Sequence, residues 1–303
     1  MIAERRADYI GYSTREVFVT GADPAVVMLH GFGDSADTWW PVLRHLAATG
    51  RAGIAVDLPG FGDSPPRPDG RYSIAALAQT VTALIQRRER GPVHLIANSL
   101  GGAVAVKVAA ARPELIRTLT LISPALPDPR PRPDLVRLAL IGLPRVGPRL
   151  LRKYEALPPR DRVAGVIATC YSDPARFPAA RFAAEVAELT RRDTLAYPTA
   201  ALVGSIRTLV AEFFRARAWR DAARITAPSL VIYGRHDRLV DPRMAGRAAR
   251  AFRDARILVL PRTGHLAHME HPAQVAAEIQ ALVGNSRSRP PVDRGAGRAS
   301  PVR

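Results

Sequence analysis

Short apolar runs alternate with longer segments of helical periodicity along most of the chain, and this alternation limits the fold more than any other feature. Each run has the length and composition of a buried strand. The runs are AVVMLH (25–30), GIAVD (53–57), VHLIAN (93–98), TLTLIS (118–123), SLVIYG (229–234) and ILVLP (257–261). Strands that are apolar throughout are buried on both faces, as in a parallel sheet covered by helices. The sequence therefore predicts an α/β fold with a mostly parallel central sheet flanked by helices, with one or two edge strands in residues 1–23.

The segments between the runs carry apolar residues at helical spacing. They are WWPVLRHLAA (39–48), SIAALAQTVTALIQRR (73–88), LGGAVAVKVAAARP (100–113), RMAGRAARAF (243–252) and PAQVAAEIQALV (272–283). Each is predicted to form a helix against the sheet.

The alternation stops between about residues 125 and 222. This stretch opens with the proline-rich PALPDPRPRPD (124–134), which neither a strand nor a helix can continue through. Five helical patterns follow, which are LVRLALIGL (135–143), PRLLRKYEAL (148–157), DRVAGVIATCYS (161–172), RFAAEVAELTRRD (181–193) and TLVAEFFRARAW (208–219). We predict a core formed by residues 1–125 and 222–284, with a helical cap over 126–221. Residues 285–303 contain almost no apolar side chains and are predicted to be a disordered basic tail.

The chain is strongly basic, with a formal net charge of +17. The charge is almost all arginine, since Lys107 and Lys153 are the only lysines, and it is spread along the whole chain. No basic cluster with aromatic or groove-reading residues is present, so nucleic acid is not a predicted partner. Cys170 is the single cysteine and excludes an internal disulfide. The absence of a long apolar run and of a signal-like start favours a cytoplasmic protein.

The segment HLIANSLGGAVA (94–105) takes a predicted strand directly into Ser99. Ala97 and Gly101 flank this serine at two positions on either side, which is the small-x-Ser-x-Gly pattern of a nucleophile elbow. The helix that follows directs its first N–H groups at any anion formed beside the serine. A serine in this place also commonly caps a helix, so a catalytic interpretation needs partners elsewhere in the chain.

A serine nucleophile needs a base that is held in place by a carboxylate. Asp237 follows the predicted strand SLVIYG, and His265 follows the last predicted strand. Loops after the strands of a parallel sheet emerge at one edge, so these residues and Ser99 are expected to converge there. We predict a triad of Ser99 as nucleophile, His265 as base and Asp237 as acid.

Other residues compete for two of these roles. Asp241 lies close to Asp237 in the chain, and Asp128 follows the strand TLTLIS, so either is an alternative acid. Four further histidines are not predicted to act as the base: His94, His236, His268 and His271.

The loop after the first apolar run invites a different interpretation. Its residues 31–36, GFGDSA, formally fit the dinucleotide fingerprint G-x-G-x-x-G/A, and Asp57 lies roughly 20 residues further on, where a ribose-binding acid is expected. That interpretation explains only this loop and one acid. We therefore take the match as coincidental, and we predict no cofactor and no metal.

The same loop has a role in acyl transfer. Negative charge develops on a carbonyl oxygen when a serine attacks it, and hydrogen-bond donors must surround that oxygen. We predict that the backbone N–H groups of Phe32 and Leu100 form this oxyanion hole.

Five motifs together resemble the α/β-hydrolase superfamily over roughly residues 10–284. They are HGFGDSADTW (30–39), DLPGFGDS (57–64), ANSLGG (97–102), GRHDRLVDP (234–242) and GHLAHMEHP (264–272). The resemblance implies the α/β-hydrolase fold with a helical lid inserted after the sixth strand, and it supports the Ser-His-Asp triad. The departure is Ala97, where the family usually has glycine.

The resemblance implies a serine hydrolase of the esterase or lipase type, which cleaves a small-molecule carboxylic ester with an apolar acyl group through an acyl-enzyme. An alternative is a carbon–carbon bond hydrolase of ring-cleavage products, which Asn98 before the serine resembles. Those enzymes usually carry tryptophan after the catalytic histidine, where this chain has Leu266. A ligand-binding protein without turnover is another alternative. The oligomeric state has no sequence signal.

The cap mixes apolar residues with Arg145, Arg149, Arg152 and Lys153. One hypothesis is that this part of the cap contacts an anionic membrane surface, with the protein peripheral to the membrane. The alternative is an ordinary amphipathic cap that packs its apolar side on the core.

Overall fold

The computed structural model describes residues 1–9, 11–21, 25–87, 91–215 and 217–287. Within them, one eight-stranded sheet forms the centre of the molecule, in the order β1-β2-β4-β3-β5-β6-β7-β8. The strands are β1 (Ile2–Tyr9), β2 (Tyr12–Val19), β3 (Val26–Leu29), β4 (Gly53–Val56), β5 (Val93–Asn98), β6 (Ile116–Ile122), β7 (Ser229–Gly234) and β8 (Ala255–Leu260). The pairs β1–β2 and β2–β4 are antiparallel, and the other five are parallel.

The six apolar runs are therefore the parallel part of the sheet, as predicted, and the N-terminal residues add two antiparallel edge strands. The strands β3, β4, β5 and β7 are buried along their whole length. This burial explains why they lack the polar alternation of a half-exposed strand.

Helices cover both faces of the sheet. They are α1 (Trp40–Ala48), α2 (Ile74–Gln86), α3 (Ser99–Ala111), α4 (Pro133–Ala139), α5 (Gly147–Glu155), α6 (Pro159–Cys170), α7 (Ala179–Arg192), α8 (Pro198–Arg215), α9 (Arg217–Arg224), α10 (Met244–Ala251), α11 (Ala267–Glu270) and α12 (Pro272–Arg287). The helices α2, α3, α9 and α10 contribute to the core cluster on one face, while α1 and α12 contribute to the cluster on the other. No helix among the described residues is both long and apolar enough to cross a membrane.

The helices α4 to α9 lie between β6 and β7, where the cap was predicted. The predicted helix 208–219 is wrong at both ends, because α8 already begins at Pro198 and α9 continues to Arg224. Proline at the first helical position favours the earlier start. The predicted boundary at residue 221 falls inside α9, which packs on α3 of the core and whose Trp219 indole N–H donates to Pro127 O at 2.8 Å.

The C-terminal helix α12 runs to Arg287, slightly beyond the predicted start of the disordered tail at 285. Residues 288–303, the rest of that predicted tail, lie outside the described residues.

Candidate active site

Ser99 stands at the turn from β5 into α3 and has a left-handed backbone, with φ of 49°. A non-glycine residue in this region costs roughly 1–3 kcal/mol and persists only where the surrounding structure enforces it. The elbow packs closely on the end of β3, since a β-carbon added to Gly101 would lie 2.5 Å from His30 O and 2.8 Å from Leu29 O. The small residue required by the elbow pattern is therefore a steric necessity in this fold.

Asp237 and His265 form a buried pair in the loops that follow β7 and β8. The His265 Nδ1 atom lies 2.9 Å from Asp237 Oδ2, and both residues are less than 5% exposed. The second carboxylate oxygen, Oδ1, accepts the main-chain N–H groups of Leu239 at 2.8 Å and Val240 at 2.9 Å. The acid is thus fixed by its own loop and presents its remaining oxygen to the imidazole.

Two opposing effects act on the pKa of Asp237. Burial by itself would raise the pKa of this carboxyl, because a low-dielectric surrounding disfavours the charged form. The charge and hydrogen bond of His265, together with the Val240 N–H, outweigh burial and lower the pKa below its usual value. Asp237 is accordingly ionised at neutral pH.

The residue before the predicted nucleophile links it to the His265 loop. The Asn98 amide nitrogen donates to His265 O at 3.2 Å and to Ile122 O at 3.0 Å. Ser99 and His265 are therefore brought to the same edge of the sheet. Among the hydrogen bonds of the described residues, none joins the Ser99 hydroxyl to the His265 ring.

The two alternative acids are engaged with arginines instead of with His265. Asp241 pairs with Arg132 at 3.2 Å and accepts the Arg243 N–H at 3.0 Å. Asp128 pairs with the Arg243 guanidinium at 3.2 Å. Neither is hydrogen-bonded to an imidazole within the described part of the chain.

The four histidines that are not predicted to act as the base lie in separate environments. His268 is buried, stacks on Trp39 with ring centroids 4.3 Å apart, and lies 3.0 Å from Thr38 Oγ1. Burial, followed by the nearby His265, lowers the pKa of His268 to about 3, so its ring is neutral.

His94 contacts Thr118 inside the sheet, and burial lowers its pKa to about 4. His236 is exposed, and His271 Nε2 lies 3.2 Å from Arg262 O.

The loop that carries Phe32 passes very close to the elbow. An added β-carbon on Gly31 would lie 3.2 Å from Ser99 Cβ and 2.7 Å from Asn98 Oδ1. The next glycine, Gly33, has φ of 71°, which favours glycine. Glycines on both sides of Phe32 therefore let the main chain approach the serine.

Asp57, the acid of the coincidental dinucleotide match, is fully buried and structural. Its carboxylate accepts the N–H of Ala36 at 2.6 Å and the N–H of Asp63 at 2.8 Å, and it lies 3.4 Å from the Arg15 guanidinium. Burial raises the pKa of Asp57. Both carboxylate oxygens are occupied in holding three chain segments together. Asp57 is therefore not an exposed acid of the kind that binds a ribose.

Sequence reasoning missed a connection between the cap and the His265 loop. The N–H of His265 donates to Cys170 O, at the end of α6, at 2.7 Å. Glu270 completes the connection, since its carboxylate accepts the N–H of Gly264 at 2.6 Å and both the hydroxyl and the N–H of Ser172 at 2.6 and 3.0 Å. Glu270 belongs to the GHLAHMEHP motif, but spacing alone does not reveal its partner in the cap.

The cap also brings charged side chains to the Phe32 loop. The Arg181 guanidinium, on α7, donates to Asp37 O at 3.1 Å. Burial raises the pKa of Glu185 on the same helix, and the negative charge of Asp34 raises it further. This side of the site is therefore polar. No cluster of three or more potential metal ligands occurs among the described residues.

Comparison with known proteins identifies the family. A model of the alpha/beta hydrolase fold matches residues 24–272. The chain is 38% identical to the esterase Rv0045c of Mycobacterium tuberculosis over 102 residues, which is 34% of this chain and 33% of that protein. It is 28% identical over 271 residues to the pimeloyl-[acyl-carrier protein] methyl ester esterase of Aeromonas hydrophila, covering 87% of this chain and 97% of that one. It is 27% identical over 271 residues to the 2-hydroxy-6-oxononadienedioate/2-hydroxy-6-oxononatrienedioate hydrolase of Cupriavidus pinatubonensis, covering 88% and 89% of the two chains. The match to the family model spans most of the sheet and every predicted site residue, and the chain therefore belongs to the alpha/beta hydrolase fold family.

Proposed function

We propose that this hydrolase cleaves carboxylic esters through a triad of Ser99, His265 and Asp237. The observation that carries the proposal is the buried Asp237–His265 pair, which lies at the same sheet edge as a serine held in a left-handed turn. Ester hydrolysis is also the activity in the names of two relatives of the chain.

The hydrogen bond to Asp237 determines how His265 would act. Asp237 accepts a hydrogen bond from the Nδ1–H group of His265, so Nε2 carries the free lone pair that can take the proton of Ser99. The Ser99 oxygen then attacks the ester carbonyl carbon, and the imidazolium is stabilised by the adjacent carboxylate. His265 returns the proton to the leaving alcohol, which departs and leaves an acyl-enzyme.

The main-chain N–H groups of Phe32 and Leu100 would hold the oxyanion. Leu100 is in the first turn of α3, where N–H groups lack helical partners. Among the described hydrogen bonds, neither N–H has an acceptor in the protein. In the second half of the reaction, a water activated by His265 attacks the acyl-enzyme and releases the acid.

The second candidate, carbon–carbon bond hydrolysis, is favoured by Asn98 and by the Cupriavidus relative. The Asn98 amide nitrogen, however, is not free to donate to a substrate of that reaction. Its nitrogen already donates to Ile122 O and His265 O, and its oxygen lies against Gly31. An amide used in this way supports the loops and has no donor left for a substrate.

A chain-length series of nitrophenyl esters, together with labelling by a fluorophosphonate, tests the proposal. We expect turnover of at least one ester and a stoichiometric adduct on Ser99, located by peptide mass spectrometry. Labelling without ester turnover, combined with cleavage of a ring-cleavage product, would favour the second candidate. Absence of both labelling and turnover in a folded protein would favour a ligand-binding protein without catalysis.

Glu270→Gln tests the contribution of the cap connection to His265. The glutamine side chain has one acceptor oxygen in place of the two carboxylate oxygens of Glu270. The variant therefore loses the contact with either Gly264 or Ser172. A hydrogen bond to a charged group is worth about 1.5–3 kcal/mol, so we expect kcat to fall roughly 10- to 100-fold with KM nearly unchanged. Steady-state kinetics on the best nitrophenyl ester measure the effect.

Glu278→Gln is the matched control, because Glu278 is on α12 and pairs with Arg256 away from the site. We expect this control to keep the wild-type kcat. A folded Glu270→Gln enzyme with unchanged kcat would show that the connection does not position His265.

A further inference from the structure

Exposed large apolar side chains are concentrated in the cap. Nine such side chains are more than a third exposed among the described residues, and eight of them lie between β6 and β7. They are Val136, Leu140, Leu143, Val146, Tyr154, Leu157, Val166 and Phe214, with exposures of 37% to 88%. Single exposed apolar residues need no explanation, whereas apolar side chains that lie together on a surface are typical of an interaction site.

Five of these residues belong to the continuous segment 136–154, which we call the outer cap surface. It runs from α4 through a short 3-10 turn (Leu140–Gly142) into α5. The inner side of this segment is anchored: Leu151 is buried, and the Arg207 guanidinium of α8 donates to Gly142 O at 2.9 Å. The segment therefore packs some apolar residues inward and still leaves Val136, Leu140, Leu143, Val146 and Tyr154 on the outside.

Cations are interleaved with these apolar residues. Arg137, Arg145, Arg149, Arg152 and Lys153 are all exposed. Arg137 pairs with Asp134. The other four form no ion pair with any described residue, although the Arg149 guanidinium donates to the Arg145 carbonyl oxygen at 3.0 Å. The segment therefore offers unneutralised positive charge beside aliphatic surface.

We propose that the outer cap surface binds an anionic lipid membrane at the headgroup level. Aliphatic side chains flanked by arginine and lysine suit this interface, because the apolar groups enter the acyl boundary while the long cationic side chains reach the phosphates. A nucleic acid would instead require stacking aromatic residues along the cationic groove. The proposal concerns where the protein resides and does not depend on the reaction that it catalyses.

Binding should combine two contributions of different salt sensitivity. Each cation near an anionic surface strengthens binding roughly fivefold at physiological ionic strength. This contribution is screened over about 10 Å at 0.1 M salt and less than half that at 1 M. The aliphatic contribution is not screened, so high salt should weaken membrane binding strongly without a change of fold.

Co-sedimentation of the full chain with vesicles tests the proposal. We expect binding to vesicles of 30% phosphatidylglycerol in phosphatidylcholine, little binding to pure phosphatidylcholine, and release by 1 M salt. The variant Arg145→Gln/Arg149→Gln/Arg152→Gln/Lys153→Gln should bind at least 50-fold more weakly, and Leu143→Ser/Val146→Ser should bind more weakly at equal charge. Circular dichroism checks that each variant is folded.

The matched control removes four exposed arginines outside the outer cap surface, as Arg44→Gln/Arg220→Gln/Arg250→Gln/Arg253→Gln. It lowers the net charge equally and should bind within about fivefold of wild type. Equal weakening in the control would attribute binding to total charge and overturn the proposal. Absence of binding to anionic vesicles would also overturn it, and so would self-association in size-exclusion chromatography that Leu143→Ser/Val146→Ser abolishes.

Discussion

Replacing Ser99 by alanine is expected to lower kcat for the best ester by roughly 10⁶-fold, as the removal of a triad nucleophile does elsewhere. Alanine and serine bear similar strain at φ of 49°, so the substitution should leave the turn and the melting temperature almost unchanged. Only the nucleophile is lost. Steady-state kinetics and fluorophosphonate labelling of the purified variant give the result.

Ser123→Ala is the matched control. Ser123 also follows a parallel strand, β6, and also has a left-handed backbone, with φ of 44°. It opens no helix, its hydroxyl forms no hydrogen bond with a described residue, and its proximity is one of the weaker influences that lower the pKa of Asp237. We expect a loss of no more than about fivefold, the equivalent of one ordinary hydrogen bond. Activity that survives in Ser99→Ala would remove the proposed nucleophile.

Replacing Asp237 by asparagine is expected to lower kcat by about 10⁴-fold. The asparagine oxygen can still accept the N–H groups of Leu239 and Val240, so its NH₂ group faces His265 Nδ1. That nitrogen must then accept, which places the ring proton on Nε2, where it blocks removal of the serine proton. The comparison variant is Asp241→Asn, which should keep most of its activity because Asp241 pairs with arginines. A loss in Asp241→Asn as large as in Asp237→Asn would contradict the assignment.

The lowered pKa of Asp237 also predicts a pH dependence of stability. A carboxyl whose pKa is lower in the folded state adds stability above its unfolded pKa of about 3.9, and this stability is lost as the pH falls through the folded pKa. Wild type should therefore melt at a higher temperature than Asp237→Asn at neutral pH. The two melting temperatures should approach each other below about pH 4 in thermal unfolding followed by circular dichroism.

The sequence was sufficient for the sheet because the signal there is local. The runs VHLIAN and SLVIYG coincide with β5 and β7, since a strand buried on both faces is apolar along its whole length. The elbow was also predictable, because Gly101 is required by a clash with backbone that any side chain would cause. The contact between Asp237 and His265 could be predicted because parallel topology sends the loops after the strands to one edge.

Contacts between distant segments were not predictable. The sequence shows only that Asn98 precedes Ser99, whereas its hydrogen bonds reach the main chain of β6 and of the His265 loop. Glu270 meets Ser172 in the cap only because α6 ends above that loop. The predicted helix begins only at residue 208, although Leu202, Val203 and Ile206 already continue its apolar spacing back toward Pro198.

The bond from the His265 main chain to the end of α6 has a consequence for chimeric enzymes. Exchanging whole caps between members of a fold family is an attractive route to new selectivity, with junctions placed in the loops that leave and re-enter the sheet. Here such a graft would bring a foreign sequence against the loop after β8. A donor cap should retain this chain's residues 170–172, or be transplanted together with its own counterpart of that loop.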